Sequence, residues 1–176
     1  MTQAQRIALL GPAHPWRGGI AHYNASLYRA LESAGHTVEL INFRALYPDF
    51  LFPGKSQRDT SDSPFTVPHH PLYHPLNPAS WLHAARFLQA HAIERLVIQS
   101  WHPYFAPGYT ALLLAARALH IHTTLICHNV RPHEPGPLDE LLLRALYTLP
   151  DHFITQSPTE ATALRQIVGP DRSITT

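Results

Sequence analysis

The 176-residue sequence is short of charge, of cysteine and of long apolar runs, and each shortage closes off a class of function. Charged residues make up 14% of it, against the roughly 25% usual in soluble domains. The 13 Lys and Arg are almost balanced by 12 Asp and Glu, a formal charge of +1 with histidine neutral. The basic residues are scattered, so no electrostatic footprint for nucleic acid forms, and a nucleic-acid partner is not expected. Cys127 is the only cysteine, which rules out an intramolecular disulfide framework and suits a reducing cytosol. No apolar run approaches the roughly 18 residues of a membrane span. The polar stretch Met1 to Arg6 lacks the apolar region of a secretory signal. The expected location is therefore cytoplasmic.

What is present is enough for one core. Hydrophobic residues make up 45% and aromatic residues 10%, and a domain of this size buries roughly 70% of its unfolded surface. Short β-like runs alternate with helical stretches. Arg6 to Gly11 (RIALLG) reads as a buried strand. From Gly19, Ile20, Tyr23, Leu27, Leu31 and Ala34 fall at helical spacing, and Gly35 stops the helix. Thr37 to Phe43 reads as the second strand. Residues 44 to 80 are rich in Pro, Ser, Asp and His and read as a long functional loop, with one short strand expected near Phe65. Beyond it, helices are expected near 78–91, 106–120 and 138–149, and strands over 95–101, 123–129 and 152–156. Ser157-Pro158-Thr159-Glu160 reads as a capping box, and Arg172 to Thr176 as the start of another strand. The fold class is α/β: a Rossmann-like, doubly wound, mostly parallel sheet with helices on both faces.

Two segments carry candidate chemistry. The first, Gly11 to Gly19, joins the first strand to the first helix, where ligands of doubly wound sheets bind. A Gly18-Gly19 pair at a helix start lets main-chain N–H groups approach an anion, which points to a diphosphate or phosphorylated ligand. The alternative is a tight turn and nothing more. Neither GxGxxG nor the P-loop pattern occurs, so nicotinamide binding and direct NTP hydrolysis are disfavoured. The second segment is Cys127-His128-Asn129-Val130-Arg131-Pro132-His133-Glu134, at the end of a central strand on the same rim. His128 is placed to bond a substrate hydroxyl, and His133 with Glu134 to hold the loop or an acceptor; a purely structural histidine is the competing reading. Cys127 is expected to pack as a small hydrophobe. His69, His70 and His74, and the pair His120 and His122, match no zinc spacing, so no metal is expected.

Together these segments resemble a known family. RIALLG, Gly18-Gly19-Ile20-Ala21, Leu27, Leu31 and Gly35-His36-Thr37-Val38 resemble the opening of family 4 glycosyltransferases of the GT-B type. ICHNVRPHE resembles that family's "HN" strand end. Leu149 to Ser157, with Glu160 following, resembles its next strand and helix start. The resemblance implies a retaining transferase that moves a sugar from a nucleoside-diphosphate sugar to an acceptor, which could be a glycan, a lipid or a small molecule. It implies that Gly18, Gly19 and Asn129 lie on the donor side and that His128 touches the donor sugar as the catalytic histidine. Arg17, His133 and Glu134 are assigned to the acceptor side, Arg17 by its position beside the glycine pair, where it is placed to meet a phosphate of acceptor or donor. No cofactor beyond the donor is implied. The family's basic pair and C-terminal carboxylate motif have no counterpart before Thr176. The chain, residues 1–176, is thus expected to be one acceptor-side N-terminal domain, inactive alone, whose partner is the missing C-terminal nucleotide-sugar domain. Peripheral membrane contact stays open, although no basic amphipathic helix argues for it. The competing function is a free-standing Rossmann-like binding or interaction domain without catalysis.

Overall fold

A computed structural model describes residues 3–48, 56–131 and 136–176. Along the chain come β1 (Arg6–Leu10), α1 (Gly19–Ser33), β2 (Thr37–Phe43), β3 (His70–Tyr73), α2 (Pro78–Ala90), β4 (Arg95–Ser100) and α3 (Ala106–Ala118). Then follow β5 (His122–Cys127), α4 (Asp139–Tyr147), β6 (His152–Thr155), α5 (Pro158–Val168) and β7 (Ser173–Thr175). The seven strands form one parallel sheet in the order β3-β2-β1-β4-β5-β6-β7. The winding direction reverses between β1 and β4, which opens a crevice at their carboxyl ends.

Central parallel strands are covered on both faces, so they read as unbroken apolar runs; Ile7 to Leu10 are all buried. On one face, α2, α3, α4 and α5 pack on Leu10, Ile41, Leu96, Ile98, Leu125 and Phe153. On the other, α1 covers Ile7, Leu9, Val38 and Leu40. The floor of α1 differs from the sequence expectation. Ile20, Tyr23, Leu27 and Leu31 are only half-buried, and Ala21, Asn24, Ala25 and Tyr28 face the sheet. Small alanines let the helix sit close to the strands while the longer side chains flank it. The helix ends as expected: the Gly35 N–H donates to the Glu32 carbonyl and the His36 N–H to the Leu31 carbonyl.

The long loop departs further. Its strand is β3, five residues beyond Phe65, and it lies at the sheet edge beside β2. Phe65 packs on α1 instead, under the Arg29 guanidinium at 4.1 Å and stacked with His22. His70, within the stretch read as a loop, sits in β3 and pairs with Glu39 at 2.9 Å. The capping box is half closed. The Glu160 N–H donates to Ser157 Oγ at 3.2 Å, but the Glu160 carboxylate accepts from the Val130 N–H at 2.7 Å. It therefore ties α5 to the loop after β5 rather than to its own N-cap.

Tyr73 fills the core against Phe43 (ring centroids 5.1 Å apart), yet its buried hydroxyl has no hydrogen-bond partner among the described residues. A stranded buried hydroxyl costs roughly 1–3 kcal/mol. Tyr73→Phe is accordingly expected to raise stability by about 1 kcal/mol in urea unfolding; a loss of stability would mean that the hydroxyl is satisfied.

Candidate functional site

The crevice is shaped by the loop from Gly11 to Gly18, and buried amide side chains hold that loop. Asn42, at the end of β2, accepts from the Ala13 N–H (3.1 Å) and donates to the Ala13 and His14 carbonyls (3.2 and 3.0 Å). Asn24 of α1 donates to the Pro12 carbonyl at 3.2 Å. The Trp16 indole donates to the Phe43 carbonyl at 2.9 Å. Both asparagines are fully buried, where an unpaired amide would be costly, so these bonds fix the loop's path.

Residues 56–59 fold back onto the same loop. The Arg17 N–H donates to the Gln57 carbonyl and the Asp59 N–H to the Pro15 carbonyl, both at 2.9 Å. The Gln57 amide in turn clasps the main chain of Tyr47 at 3.0 and 3.1 Å. Between these segments lies a cavity of about 170 Å³ walled by Arg17, Gly18, Gly19, Tyr47, Gln57 and Trp101, among others. Gly18 has φ +125, which L side chains rarely adopt, and its carbonyl opens α1 by accepting from Ala21 and His22. Among the described residues no side chain caps α1. Its first N–H groups thus face the crevice with the positive end of the helix dipole behind them. The Tyr47 hydroxyl accepts from the Trp101 indole at 2.8 Å, and burial pushes it up to about 12, so this wall is neutral.

His128 stands just past β5. Its main-chain N–H donates to the Ser100 carbonyl at 2.8 Å, so any main-chain contact with a ligand has to use its carbonyl. The imidazole is half-buried, edge-on to Tyr23 of α1 (5.1 Å, 89°), and its Nε2 is 2.7 Å from Gln99 Oε1. Burial lowers its pKa, which keeps it neutral at pH 7. Asn129 is exposed, with a long 3.5 Å contact to the Trp101 carbonyl. Arg17, Gly18 and Gly19 share one cavity wall, and His128 and Asn129 lie on the same rim outside it. His133 and Glu134 lie outside the described residues. Burial pushes the Cys127 thiol up to about 12, in keeping with a packing role.

Among the described residues no three His, Cys, Asp or Glu side chains gather as metal ligands. His69 contacts the Val67 carbonyl, His70 pairs with Glu39, and His74 accepts from the Leu76 N–H. Of the loop aromatics, Tyr73 is fully buried and Phe65 packs on α1, while Tyr47 reaches the cavity; Phe50 and Phe52 lie outside the described residues. Asn24, Asn42 and Gln99 belong to no motif in the sequence. Their signal was available: a single amide inside an apolar strand (TVELINF, RLVIQS) or on a helix floor has to find a buried partner.

Fold and crevice together define a Rossmann-like domain with an open crevice at the topological switch point. Residues 18–176 match the glycosyl transferase 4-like domain, and the chain belongs to that family. No curated protein matches significantly. Solved structures with the same fold include MnaA of S. aureus with UDP (15% identity, TM-score 0.62, 97% of this chain and 44% of that one). An alpha-glucosyltransferase with UDP-glucose and DNA containing an abasic site aligns at 13% identity and TM-score 0.60, over 98% of this chain and 42% of that one. MurG of Acinetobacter baumannii aligns at 12% identity and TM-score 0.56, over 97% and 44%. The chain thus spans about two-fifths of the length of these three proteins.

Proposed function

We propose that this chain is the acceptor-side half of a retaining glycosyltransferase that moves a sugar from a nucleoside-diphosphate sugar to an acceptor. The start of α1 at the switch point carries the reading: among the described residues no side chain caps it, and a Cβ on Gly18 or Gly19 would meet nothing within 4 Å, so their main-chain N–H groups are open to a diphosphate. Two of the structural neighbours hold UDP or UDP-glucose, which supports a nucleotide-sugar donor. Gly19 meets the diphosphate, neutral His128 accepts a hydrogen bond from a donor-sugar hydroxyl, and Asn129 assists on the donor side. Arg17, with His133 and Glu134, serves the acceptor. As the sugar–phosphate bond breaks, positive charge grows on the sugar and negative charge on the leaving diphosphate; the helix start stabilises the second. A second domain contributes the nucleotide grip, so residues 1–176 form one domain that transfers nothing by itself.

Nucleotide-sugar donors are to be screened with the full-length protein, and the anomeric configuration of the product read by NMR. Retention is expected, and inversion would end the retaining assignment. His128→Ala is expected to lower kcat/KM about tenfold, the equivalent of one lost neutral hydrogen bond. Unchanged transfer would remove His128 from the donor site. Tight UDP binding without transfer to any acceptor would favour the free-standing binding domain.

A further inference from the structure

Gln99 lies inside β4, fully buried, and its amide links two elements that the sequence keeps far apart. Its Nε2 donates to Asn24 Oδ1 of α1 at 3.1 Å, and its Oε1 lies 2.7 Å from His128 Nε2. The direction of this chain is not free. It ends on the Pro12 carbonyl, which can only accept, so Asn24 must turn its NH2 toward Pro12 (3.2 Å) and its oxygen toward Gln99. Gln99 then has to donate to Asn24 and present its own oxygen to His128. An oxygen without a proton faces the imidazole, so the imidazole nitrogen must donate.

We propose that Gln99 is a positioning residue that locks His128 as the Nε2–H tautomer, leaving the Nδ1 lone pair as the only side-chain group that His128 offers a ligand. His128 therefore accepts from a hydroxyl and donates to none. It selects a ligand carrying a hydrogen-bond donor, an O–H or N–H, at that point and acts neither as a general acid nor as a contact to a bare phosphate oxygen. Tyr23 meets the ring edge-on, so the imidazole is held by the bond to Gln99 and by this packing together. For the neutral imidazole the tautomer follows from the hydrogen-bond chain; the assignment of the hydroxyl to a donor sugar rests on the function proposed above.

The test is proton–nitrogen NMR on the full-length protein at pH 7.5, with the His128 signals assigned by their loss in His128→Gln. The expected result is a protonated Nε2, an unprotonated Nδ1 and a slowly exchanging Nε2 proton. That proton should exchange at least tenfold faster in Gln99→Leu. Gln99→Glu keeps the size and sets a carboxylate against the ring, and should turn His128 into imidazolium at the same pH. A proton on Nδ1 in the wild type, or exchange and protonation that ignore both variants, would overturn the proposal; the wild-type spectrum decides even if Gln99→Leu fails to fold. In transfer assays Gln99→Leu should lose about as much kcat/KM as His128→Ala, with no further loss in the double variant. Nε2–H in the spectrum with full transfer in both single variants would leave the lock standing and remove His128 from the donor site.

Discussion

Gly19→Val in the full-length protein is expected to cut kcat/KM for the sugar-nucleotide donor about 100-fold, close to 2.7 kcal/mol, while leaving the thermal midpoint unchanged. The combination is what makes the result informative. A Cβ on Gly19 meets no atom of the described residues within 4 Å, so the fold has room for a side chain there. Valine is no worse a helix former than glycine, and nothing in the packing should penalise it. The same open space is where a diphosphate would have to approach the α1 N–H groups. A branched side chain fills it and removes charge-assisted hydrogen bonds worth roughly 1.5–3 kcal/mol. Gly18 is a poorer probe, since its φ of +125 would strain any substitute whether or not a ligand binds there. Calorimetric titration with UDP and a melting curve on one preparation decide the matter. Wild-type UDP affinity and transfer in a normally melting Gly19→Val would place the diphosphate elsewhere.

The periodic elements were readable in the sequence because their signals are local. RIALLG, TVELINF and RLVIQS are apolar over strand length, and Ser157 followed by Pro158 marks a helix start whatever surrounds it. Hidden were the features decided by tertiary partners. The floor of α1 runs through Ala21 and Ala25 because close approach to the sheet outweighs side-chain size, which periodicity of the largest residues cannot show. β3 has only four residues and a proline, and pairing with β2 is what makes it a strand. The Glu160 carboxylate satisfies the capping-box spacing, yet it bonds Val130 because the loop after β5 brings an N–H within reach. The candidate site divides in the same way. Gly18, Gly19 and His128 stand at strand-to-helix junctions that chain order alone locates. Asn24, Asn42 and Gln99 set the loop and the imidazole from three separate elements, and residues 56–59 close the cavity from a segment without periodicity.

Gly11→Ala should behave in the opposite way to Gly19→Val, although both replace a glycine of one loop. A Cβ on Gly11 would lie 2.5 Å from Gln99 Cγ and 2.9 Å from Asn24 Nδ2. Neither neighbour can swing aside cheaply. Both are fully buried, Asn24 is tied to Pro12, and Gln99 is tied to His128. Glycine-to-alanine changes elsewhere often gain about 0.4–1 kcal/mol by stiffening the unfolded chain. Here that gain is outweighed by overpacking at roughly 1–3 kcal/mol and by a strained bond between buried amides at roughly 1 kcal/mol or more. The net expectation is a loss of about 2–3 kcal/mol, which for a domain of this size lowers the melting temperature by about 5–10 °C. The Nε2 proton of His128 should exchange faster as well, because the displaced atoms are the ones that hold it. Gln99→Ala removes the closest obstructing atom, so adding it to Gly11→Ala should cost less than the sum of the two single changes, by about 1 kcal/mol. Strict additivity would mean that Gly11 and Gln99 do not press on one another, and the close approach beneath the crevice would have to be given up.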